Sequence, residues 1–273
     1  MISRDLFDLK GTKILFSGAT GVLGASMALY LAQQGAELLI LGRTPEKVNA
    51  LRDQIIAEGG KASGYCADVT EEESLTKVKL LIESQHGSVA VLINAAGGNM
   101  PGAVIRPEQT FLDLNSDALR QVMDLNYLGT VFPIKVFLPL LLKNGGGNIL
   151  NISSMAATRP MTRVMGYASA KAAIDNLTKW LAVEFATKHG PSYRVNALAP
   201  GFFLTEQNRT LLTEVDGSLT QRGNQIISHT PMNRFGRPED ILGALHWLCS
   251  DASAFVTGTV VAVDGGFSAY SGV

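Results

Sequence analysis

The sequence is poor in most of the features that mark specialised chemistry. Only two cysteines, Cys66 and Cys249, occur among its 273 residues, and they lie far apart. They form no metal-ligand spacing and no disulfide framework, so no metal is expected, a reducing compartment is indicated, and both thiols read as small hydrophobes. Charged residues make up only 17%, and the formal net charge is −1. That balance gives no reason to expect nucleic acid or an anionic membrane as a partner. Aromatic residues are scarce at 7%, whereas 46% of the chain is apolar, which supplies a large aliphatic core and excludes disorder. The longest strongly apolar run, Val131 to Leu142, is interrupted by Pro133, Lys135 and Pro139 and reads as too short to cross a bilayer. The start, Met1 to Lys10, alternates charged and apolar residues and does not read as a signal peptide. The expectation is a soluble, cytoplasmic protein.

What the chain does have is a regular alternation of short apolar runs and helical patterns. Strands are expected at Lys13–Ser17, Glu37–Leu41, Ala62–Ala67, Val89–Asn94, Asn148–Ile152, Tyr193–Leu198 and Val260–Val263, with helices between them. A long loop should run from Ala95 to Asn115, a helix from Ser116 towards Lys143, and an irregular stretch from Pro200 to Gly236. Seven strands alternating with helices predict an α/β fold, a single-domain doubly wound parallel sheet with helices on both faces. No repeat and no linker divides residues 1–273, and residues 200–236 are expected to cover a substrate.

In such sheets ligands bind beyond the carboxyl ends of the strands. Gly18, Thr20, Gly21, Val22, Leu23 and Gly24 follow the first strand, where glycines let backbone N–H groups and a helix N-terminus meet a pyrophosphate. Gly42-Arg43 follows the second. An acid there would suit the ribose of NAD, whereas an arginine suits the extra phosphate of NADP, so NADP(H) is favoured and NAD(H) stays open. Asp68 with Val69 follows the third strand, where adenine would lie. Asn94, Ala95, Ala96 and Gly97 follow the fourth and leave room for a ribose, with Asn94 placed to tie neighbouring backbone together. Ser154 follows the fifth, and Pro200, Gly201, Phe203 and Thr205 follow the sixth. Tyr167 and Lys171 are four apart, on one face of a helix. A hydroxyl, a phenol and an ammonium brought together can move a proton onto or off an alcohol oxygen.

Taken jointly, Gly18 to Gly24, Asp68, Asn94-Ala-Ala-Gly97, Asn126, Ser154, Tyr167-x-x-x-Lys171, Pro200-Gly201 with Thr205, and Val263-Asp-Gly-Gly266 resemble the short-chain dehydrogenase/reductase family over nearly the whole chain. One departure is local: Ser17 stands where the family has Thr, and Val22 where it has the middle glycine of its nucleotide turn. The resemblance implies a Rossmann fold and an NAD(P)-dependent oxidoreductase. It implies Tyr167 as general acid/base, and Lys171 as the group that binds the nicotinamide ribose and favours tyrosinate. Ser154 would hold the substrate oxygen, Asn126 would keep a relay water, and Thr205 with the backbone after Pro200 would bind the nicotinamide end. An ordinary tyrosine pKa is about 10, so a value near 7 needs roughly 4 kcal/mol of preference for the anion. An adjacent ammonium and the oxidised nicotinamide are the expected sources.

A narrower resemblance is to the branch that reduces sugar-acid ketones, the D-mannonate oxidoreductases (fructuronate reductases). It rests on Ala95-Ala-Gly-Gly-Asn99 with Pro101, on Pro200 to Arg209, on His229 to Met232 with Arg234-Phe-Gly236, and on Gly265 to Gly272. A sugar acid needs a cation for its carboxylate, and Arg159, Arg163 and Arg209 are candidates, with Asn99, Gln207 and Asn208 for its hydroxyls. His229 reads as a satisfied loop histidine. Reduction of another polyol, aldonate or cyclic ketone, as in gluconate 5-dehydrogenases, would keep the same Ser-Tyr-Lys set. A nucleotide-sensing protein without turnover would keep the fold, but it would not need both Tyr167 and Lys171. Long Leu-, Val- and Ala-rich helices, together with the family habit, lead one to expect a homotetramer, with the tail after Gly266 able to reach a neighbour.

Overall fold

A computed structural model describes residues 5–205 and 208–272. The predicted substrate residue Gln207 therefore lies outside the described part. Strand β1 (Lys13–Ser17) leads into helix α1 (Val22–Gln33), β2 (Glu37–Gly42) into α2 (Pro45–Ala57), and β3 (Lys61–Cys66) into α3 (Glu72–His86). Beyond β4 (Val91–Asn94) the loop carries two short 3₁₀ turns before α4 (Ser116–Met123), which a π-helical turn, Asp124–Leu128, joins to α5 (Gly129–Lys143). Then come β5 (Gly147–Ile152), α6 (Met165–His189), β6 (Tyr193–Pro200), the short α7 (Arg209–Leu212) and α8 (Gln221–Ser228), α9 (Leu242–Cys249) and β7 (Val260–Val263).

All seven strands are parallel, in the order β3-β2-β1-β4-β5-β6-β7. Strand side chains alternate between faces, and two cores follow. Ile14, Phe16, Leu38 and Ile40 pack with Met27 and Leu31 of α1, Val48 and Ile55 of α2, and Leu245 and Leu248 of α9. Leu15, Leu39 and Leu41 face the other way, onto Leu75 and Ile82 of α3, Phe137 and Leu140 of α5, and Phe185 of α6. A sheet covered on both sides explains why the central strands read as unbroken apolar runs.

Three expectations change. The helix expected from Ser116 to Lys143 is not uniform, because the π-helical turn inserts at Asp124–Leu128. Its run Val131–Leu142 read as too short to span a bilayer, yet the whole helical stretch Ser116–Lys143 is long and apolar enough to do so by length and composition. In the fold, Ile134, Phe137, Leu140 and Leu141 of this stretch are buried against the sheet. The stretch from Pro200 to Gly236 holds two short helices rather than none.

Phe137 is fully buried in the second core. Phe137→Ala is expected to cost about 3–5 kcal/mol of stability, measured by urea unfolding. A loss under about 1 kcal/mol would mean that the site can collapse around the gap.

Candidate active site

At the carboxyl ends of β1, β4, β5 and β6 two cavities of about 540 Å³ and 360 Å³ meet along Gly18, Gly21, Val22, Ala95 and Gly97. The larger is bordered by Thr20, Arg43, Lys47, Val69 and Ala96, the smaller by Leu23, Gly24, Ser154, Tyr167, Lys171, Pro200, Gly201, Phe203 and Thr205. The β1–α1 turn is built around Gly18, whose φ of +77° is left-handed. A Cβ there would lie 2.4 Å from the Ala95 carbonyl carbon, so only glycine fits. Val22, the departure from the family pattern, opens α1 with its side chain partly exposed on the cleft, and the turn accepts it.

Asp68 accepts hydrogen bonds from the Thr70 N–H at 2.9 Å and hydroxyl at 2.7 Å, and Arg43 approaches it at 3.8 Å. Burial pushes the Asp68 carboxyl up, but these donors outweigh it and hold the group below its ordinary value. Asn94 is buried beneath the cleft. Its amide donates to the Asn151 side chain at 3.0 Å, not to neighbouring backbone as expected, and its Oδ1 has no partner among the described residues.

Lys171 is buried, and its Nζ donates to the Ile152 carbonyl at 2.7 Å while standing 5.6 Å from the centre of the Tyr167 ring. Burial brings its pKa down from 10.5 to about 8, against the pull of Asp175 one turn further along α6. Tyr167 moves the other way: burial lifts its phenol, and the neighbouring Ser154 hydroxyl only partly counters this. The expected depression of the tyrosine by the ammonium is therefore absent from the protein alone, because desolvation dominates. Ser154 caps the turn after β5, its Oγ accepting from the Ala156 N–H at 3.2 Å.

Asn126 sits fully buried in the π-helical turn. Its amide donates to the carbonyls of Gly98 at 2.7 Å and Val122 at 2.8 Å, and its Oδ1 accepts from the Gly98 N–H at 3.1 Å. The side chain laces the loop after β4 to the helix. Gly97 closes this junction, since a Cβ there would lie 2.6 Å from Asn126 Oδ1 and 3.3 Å from Lys171 Nζ. A nicotinamide dinucleotide fits on these observations: the backbone is bare at Gly18 and Gly97, where side chains would clash with the cleft walls.

The candidate substrate residues are dispersed. Asn99 accepts from the neighbouring Met100 N–H. Asn208 lines the smaller cavity, but its side chain braces its own loop through the Phe203 carbonyl and the Thr205 N–H, both at 2.8 Å. Arg159 donates to the carbonyls of Ser268 at 2.8 Å and Tyr270 at 3.4 Å, which ties the tail back onto its own chain. Arg163 lies exposed in the loop before α6, and Arg209 opens α7. His229 is satisfied by the Gln225 carbonyl at 2.8 Å. Two neighbours of the site were not anticipated: Ser153, whose hydroxyl donates to Asp175, and Asp175 itself, raised by burial. The spacing of four between Lys171 and Asp175 was the available signal.

A nucleotide cleft beside a serine, a tyrosine and a lysine defines a dinucleotide-dependent oxidoreductase. A family model described as enoyl-(acyl carrier protein) reductase matches residues 18–268. An uncharacterized oxidoreductase, UxuB, of Bacillus subtilis is 46% identical over 97% of this chain and 98% of its own length. A Haemophilus influenzae structure with bound NAD, described as a D-mannonate oxidoreductase, is 43% identical with a TM-score of 0.92, covering 97% of this chain and 98% of the other. A gluconate 5-dehydrogenase from Burkholderia cenocepacia, in complex with NADP and tartrate, is 29% identical with a TM-score of 0.85, covering 97% and 98%. The chain belongs to the short-chain dehydrogenase/reductase family and is an NAD(P)-dependent oxidoreductase.

Burial of Lys171 has a consequence for stability. Below about pH 8 the lysine is charged both folded and unfolded, so the native state bears the whole burial penalty. Between about 8 and 10.5 only the unfolded chain keeps the proton, and stability rises with pH. Relative to Lys171→Met, the wild type should gain up to about 3 kcal/mol from pH 7 to pH 10.5 in urea unfolding of the protein without cofactor. A difference that stays flat across that window would remove burial as the cause.

Proposed function

We propose that the protein reduces the ketone of a sugar acid to the alcohol, D-fructuronate to D-mannonate in type, using NADP(H) or NAD(H). The observation that carries the reaction type is the convergence of Ser154, Tyr167 and Lys171 on one cavity that opens into the nucleotide cleft. The likeness to the Haemophilus influenzae structure supports the substrate class. Arg43 on the border of the larger cavity supports use of NADP(H). The bound nicotinamide would supply the hydride.

The chain's own residues handle the oxygen and its proton. Tyr167, kept neutral by burial, is in the correct state at neutral pH to give its phenolic proton to the carbonyl oxygen as that carbon is reduced. Ser154 Oγ donates a hydrogen bond to the same oxygen and fixes its place. Lys171, still protonated at pH 7, lies behind the phenol and stabilises the phenolate that remains. Asp175 and the Ile152 carbonyl hold that ammonium in position. Gly18 to Gly24, Asp68 and Val69, Ala95 to Gly97, and Pro200 to Thr205 would hold the dinucleotide, and the segment 208–229 would cover the substrate.

A second reading, reduction of 5-ketogluconate, is favoured by the likeness to the gluconate 5-dehydrogenase. Association into a homo-oligomer is supported by Trp180 and Val183 of α6 and by Leu80 and Leu81 of α3, all large apolar side chains more than half exposed.

Oxidation of NADPH and NADH followed at 340 nm with D-fructuronate, D-tagaturonate and 5-ketogluconate tests the reading. D-fructuronate should give the highest kcat/KM, and NADPH the lower cofactor KM. A clear preference for 5-ketogluconate would replace the first reading with the second. Tyr167→Phe should abolish turnover and leave the Kd for NADPH within about twofold, since general acid–base catalysis is worth about 10²–10⁴ in rate. A variant that keeps most of its rate would sink the mechanism.

A further inference from the structure

The chain beyond β7 is folded back on itself. Asp264 accepts the Gly266 N–H at 2.9 Å on one carboxylate oxygen and the Ser268 N–H at 2.8 Å on the other. The Ala269 and Tyr270 N–H groups both donate to the Gly266 carbonyl at 3.1 Å, which closes residues 264–270 into a compact turn. One side of this turn packs on a wall of the Tyr167 cavity. Gly201 lies so close that a Cβ on it would meet the Asp264 Cα at 2.6 Å, and the Phe267 ring meets Phe202 edge-on with centroids 5.3 Å apart. Both Gly201 and Phe202 line the cavity. The Gly265 carbonyl also accepts the Met232 N–H at 3.1 Å, so the segment after α8 is fastened to the same turn.

The other side meets Arg159, five residues after Ser154. The chain between them is tight, because the Ala157 N–H donates to the Ser154 carbonyl at 3.0 Å and the Arg159 N–H to the Met155 carbonyl at 3.1 Å. A shift of Arg159 is therefore passed to Ser154. The guanidinium reaches from this turn to the Ser268 carbonyl at 2.8 Å and the Tyr270 carbonyl at 3.4 Å. A planar fork with several fixed donors can grip two residues of the tail at once. The paired register of β5 and β6 ends at Ile152 and Leu198, so the separation of Ser154 from Phe202 rests on what lies beyond the ladder. The tail spans that interval.

We propose that Arg159 is a positioning residue for the reaction: through the tail it holds the Ser154 turn at a fixed distance from the Phe202 wall, on the cavity where the carbonyl is reduced. It acts through Ser154 and touches neither substrate nor cofactor. The proposal rests on the role given to Ser154, Tyr167 and Lys171 above, and it holds for a charged and an uncharged ketone alike. A ligand of the substrate carboxylate would behave differently, since its loss would be felt by the acid alone.

Hydrogen exchange of the NADPH complex reads the brace without any substrate. In Arg159→Met, amides of residues 155–159 and 266–270 should exchange about tenfold faster, the size of a lost hydrogen bond from a charged donor, and Arg159→Lys should recover part of the protection. Exchange unchanged in both segments overturns the proposal. Kinetics are compared on D-fructuronate and its uncharged methyl ester. Arg159→Met should lower kcat about tenfold on both, with each KM and the Kd for NADPH within about threefold, because a misplaced group costs rate more than binding. Phe267→Ala cuts the opposite end of the brace and should do the same, and the double variant should lose little more than either single one. A loss confined to KM for the acid makes Arg159 a carboxylate ligand and overturns the positioning role, as do an unchanged kcat or two losses that multiply. Wild type that reduces only an uncharged ketone such as cyclohexanone defeats the sugar-acid reading alone, and the same kcat comparison is then made on cyclohexanone. Wild type that reduces no ketone removes the Ser154 reading and the positioning role with it.

Discussion

The placement of one ammonium inside the protein governs the site. Lys171 donates a hydrogen bond to the carbonyl of Ile152, the last residue of β5, and so depends on where that strand ends. The strand end is set in turn by pairing of Ile152 with Leu198 of β6 and by the Ser153 N–H, which donates to the Leu198 carbonyl at 2.7 Å. Ser154 follows immediately. A single register between two buried strands thus decides how far the serine stands from the lysine and, through one turn of α6, from the tyrosine. Since a slip by one residue would send every side chain of β5 to the opposite face, both cores enforce that register.

Below the cleft runs a second set of buried polar groups. Asn94 donates to Asn151, and Asn151 donates to Thr178 of α6 at 3.0 Å, so strands β4 and β5 are joined to the helix that carries Tyr167. The Asn94 Oδ1 meets no partner among the described residues, and a buried acceptor left unmatched costs on the order of 1–3 kcal/mol. Together with buried Lys171 it places two costly polar groups beside α6. The two cores around it are apolar packing of aliphatic side chains with a few aromatics, among them Phe16, Phe137 and Phe185.

Much of this was readable in the sequence. The central strands are near-continuous apolar runs, a parallel sheet covered on both faces follows from their alternation with helices, and residues that follow several of the strands do meet at one edge. Whatever depended on distant partners was hidden. The π-helical turn has neither proline nor glycine in Asp124–Leu128, and the Asn126 hydrogen bonds that accompany it reach Gly98. Arg159 pairs with carbonyls more than a hundred residues away. Helix α8 begins with polar residues and a glycine at Gly223, so its own sequence barely favours a helix and packing on α7 decides it. The upward shift of Tyr167 was equally invisible, because burial is not a property of spacing.

The π-helical turn also sets the arithmetic of the chain. It accommodates one residue more than an α-helix would between the same two ends, and each residue of an α-helix turns the axis by about 100°. A family member lacking one residue within 124–128 would close the turn into ordinary α-helix with both ends in place, and Phe137 and Leu140 would stay on the sheet. What it would lose is the bulge that aims the Asn126 side chain at Gly98. A change of length inside this turn is therefore one the helix can absorb, and the loop after β4 is what registers it.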